Sequence, residues 1–188
     1  MRKTVEKNFG VRIDGNVQID FESFKTVVDA IGGVEIELSQ EEADYLNLAY
    51  WQNGWTLTEG VQTLDGDQAL AYSRIRQVGN SDFERTERRR TVLMTAFRKV
   101  KAQGKLKMLK LAKDIYPMLD TDIELKDMVN LGLTALSLKE DSITTYRLPV
   151  DGGYKNETIR DMAVLVPDLE MNRNYLLELL FGTAAEQE

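Results

Sequence analysis

The 188-residue chain contains no cysteine and no histidine. The first absence excludes disulfides, thiolate nucleophiles and cysteine-based zinc sites. It suits an exported protein that avoids stray thiols, without assigning a compartment. The second excludes Ser-His-Asp triads, imidazole metal ligands and any imidazole acid–base step. No run of about 18 apolar residues occurs, so no segment reads as membrane-spanning. The basic N-terminus, MRKTVEKNFG, lacks the apolar stretch of a signal peptide. Positive charge is in deficit, with 24 Lys and Arg against 31 Asp and Glu and a net charge of −7, which argues against general binding to nucleic acid.

What remains suits one core: 43% of residues are hydrophobic and 29% charged, so residues 1–182 read as a single domain and 183–188, TAAEQE, as a frayed tail. The scarce positive charge is concentrated. Between Arg74 and Lys101 the basic residues Arg74, Arg76, Arg85, Arg88, Arg89, Arg90, Arg98, Lys99 and Lys101 face only Asp82, Glu84 and Glu87. One basic island in an acidic protein fits a compact anion better than a long polyanion.

Helices and strands alternate along the chain. Helical patterns cover Thr4–Phe9, Phe21–Ile31, Gln40–Tyr50, Leu64–Tyr72, Asn80–Gln103, Lys105–Ile115, Leu125–Leu136 and Asn172–Phe181. Strand-like alternation appears at Val11–Asp20, around Asp14-Gly15-Asn16, at Val34–Leu38 and at Ser142–Pro149, with a turn at Asp151-Gly152-Gly153. The class is therefore α/β, with helices covering a sheet. Three strands are few for so many helices, since a typical sheet has roughly five or six. The shortage points to a missing partner segment.

The sharpest local signal is Ser81-Asp82-Phe83-Glu84-Arg85-Thr86-Glu87-Arg88-Arg89-Arg90. Ser81 and Glu84 have capping-box spacing. At about 100° per residue, Val92, Leu93, Ala96 and Val100 form an apolar stripe. Arg85 and Arg89 fall on that stripe nearer the helix start, and Arg98 falls on the opposite face. Inward guanidiniums need negative partners, and a helix N-terminus favours anions. Arg74 and Arg76, if extended, point to one side just upstream. Either these arginines converge on an anion, for which a diphosphate is the natural match, or they form a solvated helix face with Arg85 paired to an internal acid.

The segment Gly60-Val-Gln-Thr-Leu-Asp-Gly-Asp-Gln-Ala-Leu-Ala-Tyr-Ser-Arg-Ile-Arg76, followed by Asp82-Phe-Glu-Arg-Thr-Glu-Arg88, resembles the two-part signature of the LytR-CpsA-Psr family. Thr4–Asp14, Asp20–Phe24, Gly33-Val34 and Val164–Asp168 also match that family's text, so the resemblance covers nearly the whole chain. It implies an αβα sandwich, a mixed central sheet flanked by helices. It also implies a transferase that moves a glycopolymer, such as wall teichoic acid or capsule, from a polyprenyl diphosphate carrier onto peptidoglycan at the outer face of the bacterial membrane. By the motif, Arg74, Arg76 and Arg85 hold the diphosphate and Arg88 flanks it. Asp82 either accepts the acceptor hydroxyl's proton or orients an arginine and caps the helix. Arg89 stands where the family usually has Gln, adding a charge at the same site.

The resemblance further implies Mg²⁺, held by acidic residues in earlier strands whose R-S-D and P-R-D text is not in this sequence. No metal ligand is therefore assigned in this chain, and the family's N-terminal membrane anchor is likewise absent from it. Two other functions stay open: a non-catalytic polyprenyl-phosphate-binding remnant, and a transcriptional attenuator. The second is opposed by the acidic balance and by the lack of an exposed basic recognition helix. Trp51 and Trp55 either stack on sugar rings or cover the core edge. Leu106, Met108, Leu109 and Leu111 are candidates for a lipid-tail cleft, but such a stripe is far more often ordinary core, and no lipid-tail residues are assigned.

Overall fold

The computed structural model describes residues 2–79, 82–139 and 142–182, with only the backbone of Asp82. In chain order the elements are α1 (Arg2–Phe9), β1 (Val17–Gln18), α2 (Phe21–Ala30), β2 (Val34–Leu38), α3 (Gln40–Ala49), β3 (Gly60–Leu64), α4 (Gly66–Ser73), α5 (Asp82–Gln103), α6 (Lys105–Ile115), β4 (Asp120–Thr121), α7 (Leu125–Ser137), β5 (Tyr154–Ile159), β6 (Met162–Pro167) and α8 (Leu169–Phe181). The α/β class holds. Within it the described strands pair as three antiparallel ladders of two, β1 with β4, β2 with β3 and β5 with β6. The frayed tail expected at 183–188 lies outside the described residues.

Two compact units form, one from residues 17–143 and one from 1–16 with 144–188. The first holds all the buried hydrophobic residues among those described. Its centre is the β2–β3 ladder, in which Val34 faces Leu64 and Leu38 faces Gly60. β2 alternates strictly, burying Val34, Ile36 and Leu38 and exposing Glu35 and Glu37. Each fully buried aliphatic side chain of this kind contributes about 1.5–3 kcal/mol. Val28 from α2 and Ile31 just after it, Leu46 from α3, Ile75 after α4 and Val92 from α5 complete the core.

Helix ends are set by local chemistry. Asp20 accepts the Ser23 amide at 2.7 Å and starts α2. Ser39 with Glu42 and Asp65 with Gln68 form full capping boxes on α3 and α4. The far end of α5 steadies the last turn of α2, with Lys99 Nζ donating to the Gly32 carbonyl at 2.6 Å and Gln103 Nε2 to that of Ile31 at 2.9 Å. Gly66, the first residue of α4, lies against α2 itself. Its amide donates to Asp29 Oδ1 at 2.7 Å, and a Cβ there would stand 2.4 Å from the Lys25 carbonyl oxygen.

The second unit is organised by one polar residue. Asn172 on α8 is 0% exposed. Its Oδ1 accepts the Val150 amide at 2.8 Å, and its Nδ2 donates to the carbonyls of Gly153 and Asp168, both at 2.7 Å. The β5–β6 hairpin follows the turn at Asp151-Gly152-Gly153.

Three expectations change. The Val11–Asp20 strand reduces to Val17–Gln18, and the Ile13 amide is instead satisfied by Glu6 Oε1 at 3.1 Å. Ser142–Pro149 forms no ladder among the described residues; its alternation finds no neighbouring strand. The helix expected from Leu64 begins at Gly66, because Leu64 closes β3, a strand the alternation had not revealed.

Candidate anion-binding site

The α4 helix ends at Arg74, and the chain runs on with Arg74 and Arg76 exposed and Ile75 buried between them. This alternation anchors the segment by one aliphatic side chain and sends both guanidiniums to the same side. On α5 the inward column is Arg88, Val92, Ala96 and Val100, spaced by four residues. Leu93, expected on the stripe, is 69% exposed. The buried face is narrower than the sequence pattern suggests and is centred one residue away from where Arg85 and Arg89 project.

Arg85 and Arg89 therefore flank the core face and meet Arg74 and Arg76 across a cavity of about 410 Å³, lined also by Tyr45, Tyr50 and Gln77. No acidic side chain among the described residues lines it. Arg74 also lies over the Phe21 ring, 4.7 Å from its centroid, which fixes one guanidinium at the rim. Four cationic forks around one hollow give the geometry that binds a compact polyanion through paired hydrogen bonds.

Arg88 is a correction. The motif placed it beside the diphosphate, but it is 7% exposed and turned into the core. Its Nε donates to Glu42 Oε1 at 2.7 Å, and its Nη2 donates to the Val78 carbonyl at 3.0 Å. Glu42 Oε2 meanwhile accepts the Ser39 amide at 3.0 Å. A buried guanidinium is tolerable only with such partners. Here they tie α5 to the start of α3 and to the loop that carries Arg76.

The other island residues also separate by role. Arg90 pairs with Glu87, Lys101 donates to the Leu138 carbonyl, and Arg98 is exposed as expected. The Asp82 side chain and the Ser81 end of the expected capping box lie outside the described residues. Among the described residues no group of three or more acidic side chains gathers, and the Mg²⁺ implied by the resemblance is expected on residues that are not in this sequence. Sequence reasoning missed Tyr45, Tyr50 and Gln77, which carry no motif of their own. Trp55 stacks on Tyr50 with centroids 5.1 Å apart, while Trp51 is 70% exposed. Leu106 is exposed and Met108 buried, so the α6 stripe divides between surface and core.

The end of α4, the segment after it and α5 thus bring four arginines to one cavity in a helix-covered α/β unit. The LytR_cpsA_psr family model matches residues 1–176, and the chain belongs to that family. An Enterococcus faecalis relative named polyisoprenyl-teichoic acid–peptidoglycan teichoic acid transferase TagU is 30% identical over 155 residues, covering 79% of this chain and 48% of that protein. The chain spans about half the length of the curated relatives it matches. The crystal structure of B. subtilis TagV is 25% identical, with a TM-score of 0.73 over 97% of this chain and 70% of that one. A structure described as TagT bound to LI-WTA is also 25% identical, with a TM-score of 0.75 over 94% of this chain and 64% of that one.

Proposed function

We propose that the chain serves, through its arginine-lined cavity, in the transfer of a glycopolymer from a polyprenyl diphosphate carrier to peptidoglycan. The single observation that carries this is the convergence of Arg74, Arg76, Arg85 and Arg89 on one cavity. Family membership and the names of the relatives support the choice of carrier and cargo.

Phosphoryl transfer asks little covalent chemistry of a protein; it needs positioning and charge neutralisation. In the proposed step an acceptor hydroxyl oxygen bonds to the glycan-side phosphorus, and the anhydride bond to the carrier-side phosphate breaks. Polyprenyl phosphate leaves with the bonding pair. The guanidiniums hold both phosphates and offset the charge that gathers on the leaving oxygen. Asp82 is the proposed acceptor of the hydroxyl proton, and no step is assigned to a metal. The reaction would run at the outer face of the cytoplasmic membrane, where carrier and peptidoglycan meet.

The test is titration with geranyl diphosphate, followed by incubation with a lipid-linked glycopolymer and peptidoglycan. Arg85→Ala or Arg74→Ala should abolish binding while the folded state persists. Binding that survives both substitutions would remove the reading. Binding without transfer, Mg²⁺ included, would leave a carrier-binding protein rather than an enzyme.

A further inference from the structure

The arginine pocket contains more than an anion requires. Two phenol rings and an amide, from Tyr45, Tyr50 and Gln77, share its lining with the four guanidiniums. Four guanidiniums already offer donors enough for the oxygens of a diphosphate. An aromatic face is suited to something else, the weakly positive C–H edge of a ring that also carries hydroxyl groups.

Tyr50 is held as such a face would need to be. It follows the last residue of α3, and a single 3-10 turn at Trp51–Asn53 leads to Gly54, whose φ of 66° reverses the chain. That reversal lays Trp55 against Tyr50, at 5.1 Å between centroids and 28° between planes. The loop is then clamped. Asn47 Nδ2 donates to the Leu57 carbonyl at 2.8 Å and Asn47 Oδ1 accepts the Leu57 amide at 2.9 Å, with Leu57 itself buried. Trp55 thus backs one face of Tyr50, and little order is left for a ligand to impose.

We propose that Tyr50, backed by Trp55, is a platform for the sugar ring attached to the diphosphate, with Tyr45 and Gln77 placed for its polar groups. This rests on the reading of the pocket as a diphosphate site and adds a specificity determinant to it. The arginines supply affinity for any diphosphate, and the platform distinguishes a sugar-bearing carrier from the spent one.

The experiment compares two soluble probes by calorimetry, geranyl diphosphate and the same molecule carrying N-acetylglucosamine on its second phosphate. Tyr50→Ala should weaken the sugar-bearing probe about tenfold and geranyl diphosphate by no more than about twofold, the scale of one stacking contact. Retained binding of geranyl diphosphate also shows that the variant is folded. Tyr50→Phe should restore the sugar-bearing probe, Trp55→Ala should mimic the loss in part, and Trp51→Ala should change neither. An equal loss for both probes, or none for either, overturns the platform. If the unaltered chain binds neither probe, the diphosphate site falls, and the platform with it.

Discussion

Arg88 and Glu42 meet in the core at 2.7 Å, with side chains only 9% and 12% exposed, and their pairing joins α5 to the first turn of α3. The same arginine reaches the Val78 carbonyl, so the pair also fixes the loop that follows Arg76. Removing one member leaves a buried charge without its partner, at a cost of about 3–5 kcal/mol. Arg88→Ala should therefore destabilise the chain on that scale in urea unfolding. Joining it with Glu42→Gln should recover part of the loss, so the double variant is more stable than the sum of the singles. Strict additivity would show that the pair is not coupled.

Tyr72 is buried near this pair, and desolvation, with Glu42 adding to it, pushes its phenol up from 10.0 to about 12. The neutral phenol is thus favoured by the fold. Its contribution is fully present below pH ~10, where folded and unfolded chains are both protonated, and is lost as pH rises through ~12. Stability should fall by on the order of 2–3 kcal/mol over that window. Tyr72→Phe should lack this alkaline step. A variant whose alkaline profile overlays the parent's would show that Tyr72 is not its source.

Arg89 stands where the family usually has glutamine, and its exposure makes its contribution electrostatic and modest. Arg89→Gln should weaken inorganic pyrophosphate about two- to fivefold and flatten the salt dependence, with stability unchanged within about 0.5 kcal/mol. Unaltered affinity at low salt would place Arg89 outside the anion's reach.

Asn172 makes three hydrogen bonds from a site without solvent. Asn172→Ala should cost about 2–4 kcal/mol, since one amide and two carbonyls lose their partner. Asn172→Asp should also destabilise, because a carboxylate cannot donate to the Gly153 and Asp168 carbonyls. Hydrogen exchange at the Val150 amide gives a local readout, and unchanged protection there would contradict the assignment.

Much of this was readable in the sequence where one residue's chemistry acts locally. The Phe21–Ala30 helix, the Val34–Leu38 strand and the Lys105–Ile115 helix follow from periodicity, with Gly32-Gly33 between the first two and Pro117 after the third. The β5–β6 hairpin was not readable, because its turn uses Arg160 and Asp161, both at positive φ, in place of an Asn-Gly signal. Arg74, Arg76 and Arg85 could be named from their motif and Arg89 from its place on the helix stripe, whereas the inward turn of Arg88 depends on Glu42, 46 residues away. Tyr50 was silent for the same reason, since its place in the wall is made by a loop and by Trp55 behind it.

Gly66 is not part of the pocket lining, yet it sets how closely α4, the helix that ends in Arg74, lies on α2. Its bare hydrogen lets α4 settle onto α2 at backbone distance. Arg74 departs from the other end of α4 and rests on Phe21, the residue that opens α2. A methyl group at Gly66 would act as a shim driven between the two rods, tilting the one that carries Arg74 and spreading the jaws at a spot no ligand reaches. The constraint on that position is mechanical, and it reaches the chemistry only through the lever arm of a single short helix.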